Sequence, residues 1–167
     1  MNENYIVING KKIELTEEQL KQLGIEPEKK RKNPFERVAA GDGYYFISYF
    51  GDVDGSTQAD DCEDDELFNN SNYFNDESFA EQVSLHQLLY RKLLKFSWYI
   101  EAEDTLEWDA KNVHYGIFYD CSVHKFVLEF ARIYKSDGVY FSSQKAAERA
   151  IKDVVEPFMK EHPEFVW

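Results

Sequence analysis

The segment from Gly51 to Glu77 constrains the fold of this chain most strongly, because it is dense in acidic residues and contains no Lys or Arg. Its ten acids are Asp52, Asp54, Asp60, Asp61, Glu63, Asp64, Asp65, Glu66, Asp76 and Glu77. Unpaired carboxylates are costly to bury, so we expect this segment on the surface. The rest of the chain is then a scaffold that displays it.

The distribution of charge matters more than its total. The chain has a formal charge of −13, and between Glu36 and Glu77 twelve acids stand against the single base Arg37, a local charge of −11. A concentrated acidic field attracts cationic partners and repels phosphates. We therefore expect the acidic face to bind a basic protein and not to bind nucleic acid directly.

The length and composition predict one main domain with an aromatic core, because 167 residues and 16% aromatics suffice to bury a large apolar area. The two cysteines are too few for a disulfide scaffold. The sequence shows neither an apolar run of membrane length nor a secretory leader. These features predict a cytoplasmic protein with reduced thiols that does not bind a membrane.

The N-terminal residues 1–25 predict a small ββα arm. The pair Asn9-Gly10 favours a tight hairpin turn, and Thr16 is a good N-cap for a helix that ends at Gly24. Residues 26–34 read as a charged linker, in which the basic run from Lys29 to Lys32 is a solvated tether or a nucleic-acid contact. The arm is too small for its own core, so it must dock on the main domain, on a second copy in a homodimer, or on a partner.

The core domain, residues 35–167, begins with an aromatic strand from Tyr44 to Phe50, which Gly51–Thr57 extends into a hairpin or a turn. We expect an irregular, exposed loop over residues 59–72. Asp76 or Asn75 then caps a long helix that runs to about Ile100. The apolar face of that helix is expected to contain Phe79, Val83, His86, Leu89, Tyr90, Leu93, Leu94 and Phe96.

Two runs with partial alternation, Val113–Asp120 and His124–Tyr134, predict paired strands, and Gly138–Phe141 predicts a short third strand. The final helix is capped by Ser142 or Ser143, and Pro157 should kink it or start a new turn. Its apolar stripe is Ala147, Ile151, Val154 and Phe158. The predicted fold class is α+β, with a ββαβββα core in which the two longer helices pack on one antiparallel sheet.

The first candidate site is the acidic segment itself, with the binding residues Asp60, Asp61, Glu63, Asp64, Asp65, Glu66 and Phe68. One interpretation is a solubilising surface loop. In the other, the spaced carboxylates imitate the phosphates of nucleic acid and bind a basic protein groove, with nearby aromatic residues adding apolar contacts.

The second candidate site is a basic stripe on the opposite face of the long helix, formed by Leu88, Arg91, Lys92 and Lys95. Either these bases pair with the acidic loop or with the acids at 101–104, or they bind nucleic acid or a nucleotide-type signal, with Leu88 as an exposed apolar anchor.

The sequence does not predict a cofactor, a catalytic residue or a metal. Asp52-Val-Asp-Gly55 has its glycine two positions too early for a calcium loop. Cys121 and His124, with His114, form an incomplete zinc set, which leaves a small metal-dependent enzyme as the third alternative. His86 is expected to be a hydrogen-bonded core histidine.

Several stretches together resemble a group of small accessory proteins encoded by phages, prophages and mobile elements of Firmicutes. The stretches are Asn33–Val38, Tyr44–Ile47, Asn72–Asp76, Ala80–Lys95 and Val139–Ile151. The resemblance implies a bacterial host cell and, for some members, an anti-CRISPR or other anti-defence role. Together with the charge of the acidic segment, this resemblance leads us to expect a basic host protein, such as a CRISPR effector nuclease, as the partner.

Overall fold

The computed structural model describes residues 5–8, 11–16, 19, 23 and 33–167. Contacts divide the chain into two units, Met1–Asn33 and Pro34–Trp167. The fold class is α+β, as the sequence predicts. No helix in the described ranges is both long and apolar enough to cross a membrane.

The first unit contains the hairpin of β1 (Tyr5–Ile8) and β2 (Lys11–Glu14), whose register places Ile8 opposite Lys11. Thr16 caps as predicted and forms a capping box with Gln19: the Gln19 N–H donates to Thr16 Oγ1, and the Thr16 N–H donates to Gln19 Oε1. Most of the predicted helix that follows, and the basic run of the linker, lie outside the described residues.

The second unit begins with the hairpin of β3 (Gly43–Ile47) and β4 (Val53–Thr57). The Asn72 side chain holds the end of β3, because it bonds both the N–H and the C=O of Ile47 at 2.9 Å. The strand is shorter than predicted. Tyr49 and Phe50 lie in the turn at the hairpin tip and are exposed.

The prediction of an irregular loop over residues 59–72 is wrong, because Cys62–Asn69 forms helix α1. Asp61 is its N-cap and accepts hydrogen bonds from the N–H groups of Glu63 and Asp64. Acids in a first turn are stabilised by the helix dipole, so the same residues that suggested a loop favour the start of a helix.

Helix α2 (Glu77–Tyr99) begins after its predicted N-cap, Asp76, and ends at the C-cap Ile100. Its buried face is Ala80, Ser84, Leu89, Leu93 and Ser97, which only partly matches the predicted stripe. His86 is exposed, with its ring 4.6 Å from that of Phe165, so the expectation of a core histidine is wrong.

Strands β5 (His114–Asp120) and β6 (Lys125–Ala131) pair as predicted. The third predicted strand is reduced to bridges at Phe141, whose N–H and C=O both bond Tyr115. It is short because Ser142 turns its N–H to Ala102 and Ser143 already caps the next helix. The described strands therefore form three separate two-stranded sheets, and the prediction of one sheet is wrong in that respect.

The C-terminal helix consists of α3 (Gln144–Ala150), a π-helical turn (Ile151–Val155) and α4 (Glu156–Glu161). The Glu156 N–H donates to Ile151 C=O, one residue farther back than in an α-helix. Pro157, which has no N–H to donate, is the second residue of α4, so the prediction that it starts a new turn is confirmed. The helix packs its small and apolar residues into a core with Leu89, Leu93 and Phe141.

Candidate functional site

Asp64 is the central residue of the acidic segment, and it is buried. The Tyr44 hydroxyl donates to Asp64 Oδ1 at 2.7 Å, and the Ala59 N–H donates to Oδ2 at 2.7 Å. The Tyr44 hydrogen bond holds the pKa of Asp64 below its ordinary value, although burial opposes the shift. Asp64 is therefore a structural residue, and its expected role in binding a partner is wrong because its carboxylate is only 2% exposed.

A second buried network lies beside the first. The Tyr73 hydroxyl donates to Gln58 Oε1 at 2.7 Å, and Gln58 Nε2 donates to Asp60 Oδ1 at 2.8 Å. The rings of Tyr44 and Tyr73 stack with centroids 4.1 Å apart, which joins the two networks. Burial raises the pKa of both phenols, so both remain protonated donors at neutral pH.

Arg37 covers one side of α1. Its Nη2 atom lies 2.8 Å from Asp65 Oδ1, and its guanidinium carbon lies 5.4 Å from the centre of the Phe68 ring. The hydrogen bond to Asp65 raises the pKa of Arg37. Asp65 and Phe68, expected to bind a partner, are thus already in contact with a base of the same chain, although Phe68 remains 37% exposed.

Six further acids of the segment form what we call the acidic face. Its members are exposed side chains on α1, on the residues before it and on the β3–β4 hairpin: Asp52, Asp54, Asp60, Asp61, Glu63 and Glu66. Asp60 and Asp61 also hold the backbone or a neighbouring side chain. The side chains of Glu63 and Glu66, like those of Asp52 and Asp54, have no hydrogen bond or ion pair within the described residues. Glu63 and Glu66 are therefore the carboxylates of α1 that are available to a partner.

The predicted basic stripe does not form one surface. Leu88 is half-buried and packs against the core, so the expectation of an exposed anchor is wrong. Arg91 lines a pocket at the tip of the β3–β4 hairpin. Lys92 and Lys95 line a different groove, against the π-helical turn, where their ammonium groups lie 6.0 Å from the Phe158 ring and 5.5 Å from the Tyr99 ring, respectively.

The stripe also does not neutralise the acidic segment by direct contact. Among the described residues, Arg91, Lys92 and Lys95 form no ion pair with any acid. In the same part of the chain, the one base paired with the acidic segment is Arg37. The acidic face therefore keeps most of its charge.

The candidate zinc ligands are not brought together. His114 pairs with Ala131 at one end of the β5–β6 hairpin, whereas Cys121 and His124 lie in the turn at the other end, about 20 Å away for six residues of strand. The two cysteines are exposed and free. Within the described residues, no group of three His, Cys, Asp or Glu side chains could hold a metal ion.

His114 instead belongs to a cluster that sequence reasoning missed. Its imidazole is fully buried, with Nδ1 2.6 Å from Asp104 Oδ2 and its ring stacked on Trp108 at 3.7 Å. Tyr140 packs edge-on against Trp108. The Nε2 atom has no hydrogen-bond partner among the described residues and no access to solvent.

Comparisons of the chain with known protein families, with curated protein sequences and with solved structures return no match.

Proposed function

We propose that this chain is a non-enzymatic inhibitor that binds a basic nucleic-acid-binding groove of another protein through its acidic face. The observation that carries the proposal is the buried hydrogen-bond network of Asp64, which turns the acidic segment from a loop into a supported helix. Such a support fixes the backbone positions of the like-charged residues before binding. The entropy lost on association is then smaller than for a disordered acidic tail.

The available carboxylates on α1 form one anionic patch. Glu63 and Glu66 lie three residues apart on the helix, so their Cβ atoms are about 5–6 Å apart on the same face. A groove lined with Lys and Arg to hold a nucleic-acid backbone is complementary in charge to such a patch.

Apolar contacts adjoin the acids. A groove of about 350 Å³ beside α1 is lined by Phe35, Phe68, Ser71 and Tyr73. Charge alone gives fast but weak association, whereas aromatic side chains supply most of the energy at protein interfaces. Together they support a specific protein partner. The resemblance to proteins of phages and mobile elements favours a host defence protein, such as a CRISPR effector nuclease, as that partner.

The test is a competition between this chain and DNA. A fluorescently labelled DNA is bound to a purified CRISPR effector nuclease, and the wild-type chain is expected to displace it. The double variant Glu63→Gln/Glu66→Gln should need about tenfold more protein, because it removes two exposed charges without touching the Asp64 network. Fluorescence anisotropy measures the displacement.

The matched control is Glu107→Gln/Glu156→Gln, which removes the same charge from exposed positions outside the acidic segment. This variant should displace DNA like the wild type. Equal weakening by both double variants would mean that only net charge matters. Unchanged displacement by the Glu63/Glu66 variant, or no displacement by the wild type from a panel of nucleic-acid-binding host proteins, would refute the proposal.

A further inference from the structure

A polar pocket of about 420 Å³ lies at the tip of the β3–β4 hairpin, between the turn and α2. The turn is fixed on both sides, because Asn72 bonds the backbone of Ile47 and the Ser84 hydroxyl donates to the Gly51 C=O. The pocket is therefore formed before any ligand arrives. Its volume is in the range of small-molecule sites in proteins.

Arg91 gives this pocket its charge. The guanidinium lies directly against the turn, where Gly51 has a φ of 96° and a Cβ at this position would be 3.4 Å from Arg91 Nη2. Arg91 has no ion pair among the described residues, and none of the side chains that line the pocket is acidic, although the chain carries a charge of −13. An anionic group on a ligand is the partner that this guanidinium lacks.

Two aromatic residues also line the pocket. Tyr49 is 90% exposed and Phe50 is 76% exposed, and their rings pack against each other with centroids 4.0 Å apart and planes tilted by 36°. Each ring therefore keeps an outer face on which a planar ring can stack.

Polar side chains complete the pocket: Asn70, Ser71 and Gln87 line it, and the buried Ser48 Oγ has no hydrogen-bond partner among the described residues. Amide and hydroxyl groups of this kind hydrogen-bond the edge of a heterocycle.

We propose that this pocket binds a free mononucleotide, with the base stacked on the outer face of the Tyr49–Phe50 pair and the phosphate on Arg91. The planar base matches the aromatic residues, the phosphate matches Arg91, and the polar edge of the base matches the amide and hydroxyl side chains that line the pocket. A longer nucleic acid is disfavoured because its other phosphates would approach the acids of the neighbouring α1. The site uses no residue of the acidic face that would bind a partner, so it stands independently of the proposed function.

The test is an NMR titration of the full chain, labelled with ¹⁵N, with AMP, GMP, CMP and UMP. The matching nucleosides, inorganic phosphate and a single-stranded oligonucleotide are titrated separately. At least one monophosphate should bind saturably, shift the amides of residues 47–51 and 87–91, and bind at least tenfold more tightly than its nucleoside. Arg91→Ala should remove that advantage, and Tyr49→Ala/Phe50→Ala should weaken both ligands.

Lys95→Ala is the matched control, since it removes an exposed base that lines the other groove, and it should leave the affinity unchanged. The proposal is overturned if no mononucleotide saturates below about 10 mM, an affinity too weak for a specific site. It is equally overturned if Lys95→Ala weakens binding as much as Arg91→Ala, or if the oligonucleotide or inorganic phosphate binds as tightly as the monophosphate.

Discussion

Tyr44 donates its hydroxyl hydrogen to Asp64 across 2.7 Å, and both side chains are 2% exposed. One buried, charge-assisted hydrogen bond thus joins the β3–β4 hairpin to the acidic helix α1. Asp64, which the sequence groups with the surface acids, anchors the helix that carries several of the other acids.

Replacing Tyr44 by Phe removes this donor and leaves the ring. We expect the free energy of unfolding to fall by about 1–3 kcal/mol, because the buried carboxylate loses a partner. Urea denaturation followed by circular dichroism measures the change. Tyr49→Phe, at an exposed position in the hairpin turn, is the matched control and should leave stability unchanged. Equal stability of the Tyr44→Phe protein and the wild type would show that the hydrogen bond does not hold α1.

The low pKa of Asp64 in the folded chain predicts how stability depends on pH. In the unfolded chain this carboxyl returns to its ordinary pKa of 3.8, so below that pH the unfolded state binds a proton that the folded state does not. The contribution of Asp64 is complete at neutral pH and is lost as pH falls through 3.8 toward the lower folded value.

Asp64→Asn isolates this contribution, since Asp109 and Asp120 also have lowered pKa values and remain in both proteins. The difference in unfolding free energy between the wild type and Asp64→Asn should be largest near pH 7 and shrink toward pH 3. Urea titrations at several pH values measure it. A difference that stays constant over this range would contradict the assignment.

The elements that sequence predicts correctly are those whose signals are local. Asp76 caps α2 because its carboxylate reaches the N–H of Phe79, three residues away, and the Cys121–His124 turn sits between two alternating runs. Helix α1 also had a local signal, the pair Asp61 and Asp64 at capping-box spacing. The composition around this pair is typical of loops and favours the opposite prediction. The burial of Asp64 depends on Tyr44, twenty residues earlier, so a local pattern does not reveal it.

The buried face of α2 differs from the predicted one because of tertiary contacts. Near its start, Ser84 bonds the β3–β4 turn, whereas Leu89 and Leu93 join the core with α3 and α4. The buried face therefore shifts around the helix along its length. A prediction that keeps the apolar stripe on one side of the helix leaves Leu88 exposed and His86 buried. In the structure Leu88 packs against the core and His86 is exposed. His114 was likewise grouped with Cys121 by spacing alone, whereas Asp104 and Trp108 hold it in the fold.

The π-helical turn predicts which of two adjacent valines stabilises the C-terminal helix. A regular α-helix would bury Val154, four residues after the buried Ala150, but the wider turn buries Val155 completely and leaves Val154 half-exposed. Val155→Ala should lower the free energy of unfolding by about 1.5–3 kcal/mol, and Val154→Ala by less than about 1 kcal/mol. Thermal or urea denaturation of the two variants tests this. A larger loss at Val154 would mean that the helix is a regular α-helix in solution.

The buried His114–Asp104 pair predicts a large effect at a position that looks like a solvated loop acid. Asp104→Ala leaves a buried imidazole with no hydrogen-bond partner on either nitrogen among the described residues. We therefore expect the free energy of unfolding to fall by about 2–3 kcal/mol. The near-ultraviolet circular dichroism of the native state should also change, because Trp108 stacks on this ring. Glu107→Ala, an exposed acid of the same loop, is the control and should change neither quantity. If Asp104→Ala behaves like Glu107→Ala, then stacking on Trp108 and burial alone fix His114, and the carboxylate contributes nothing to the fold.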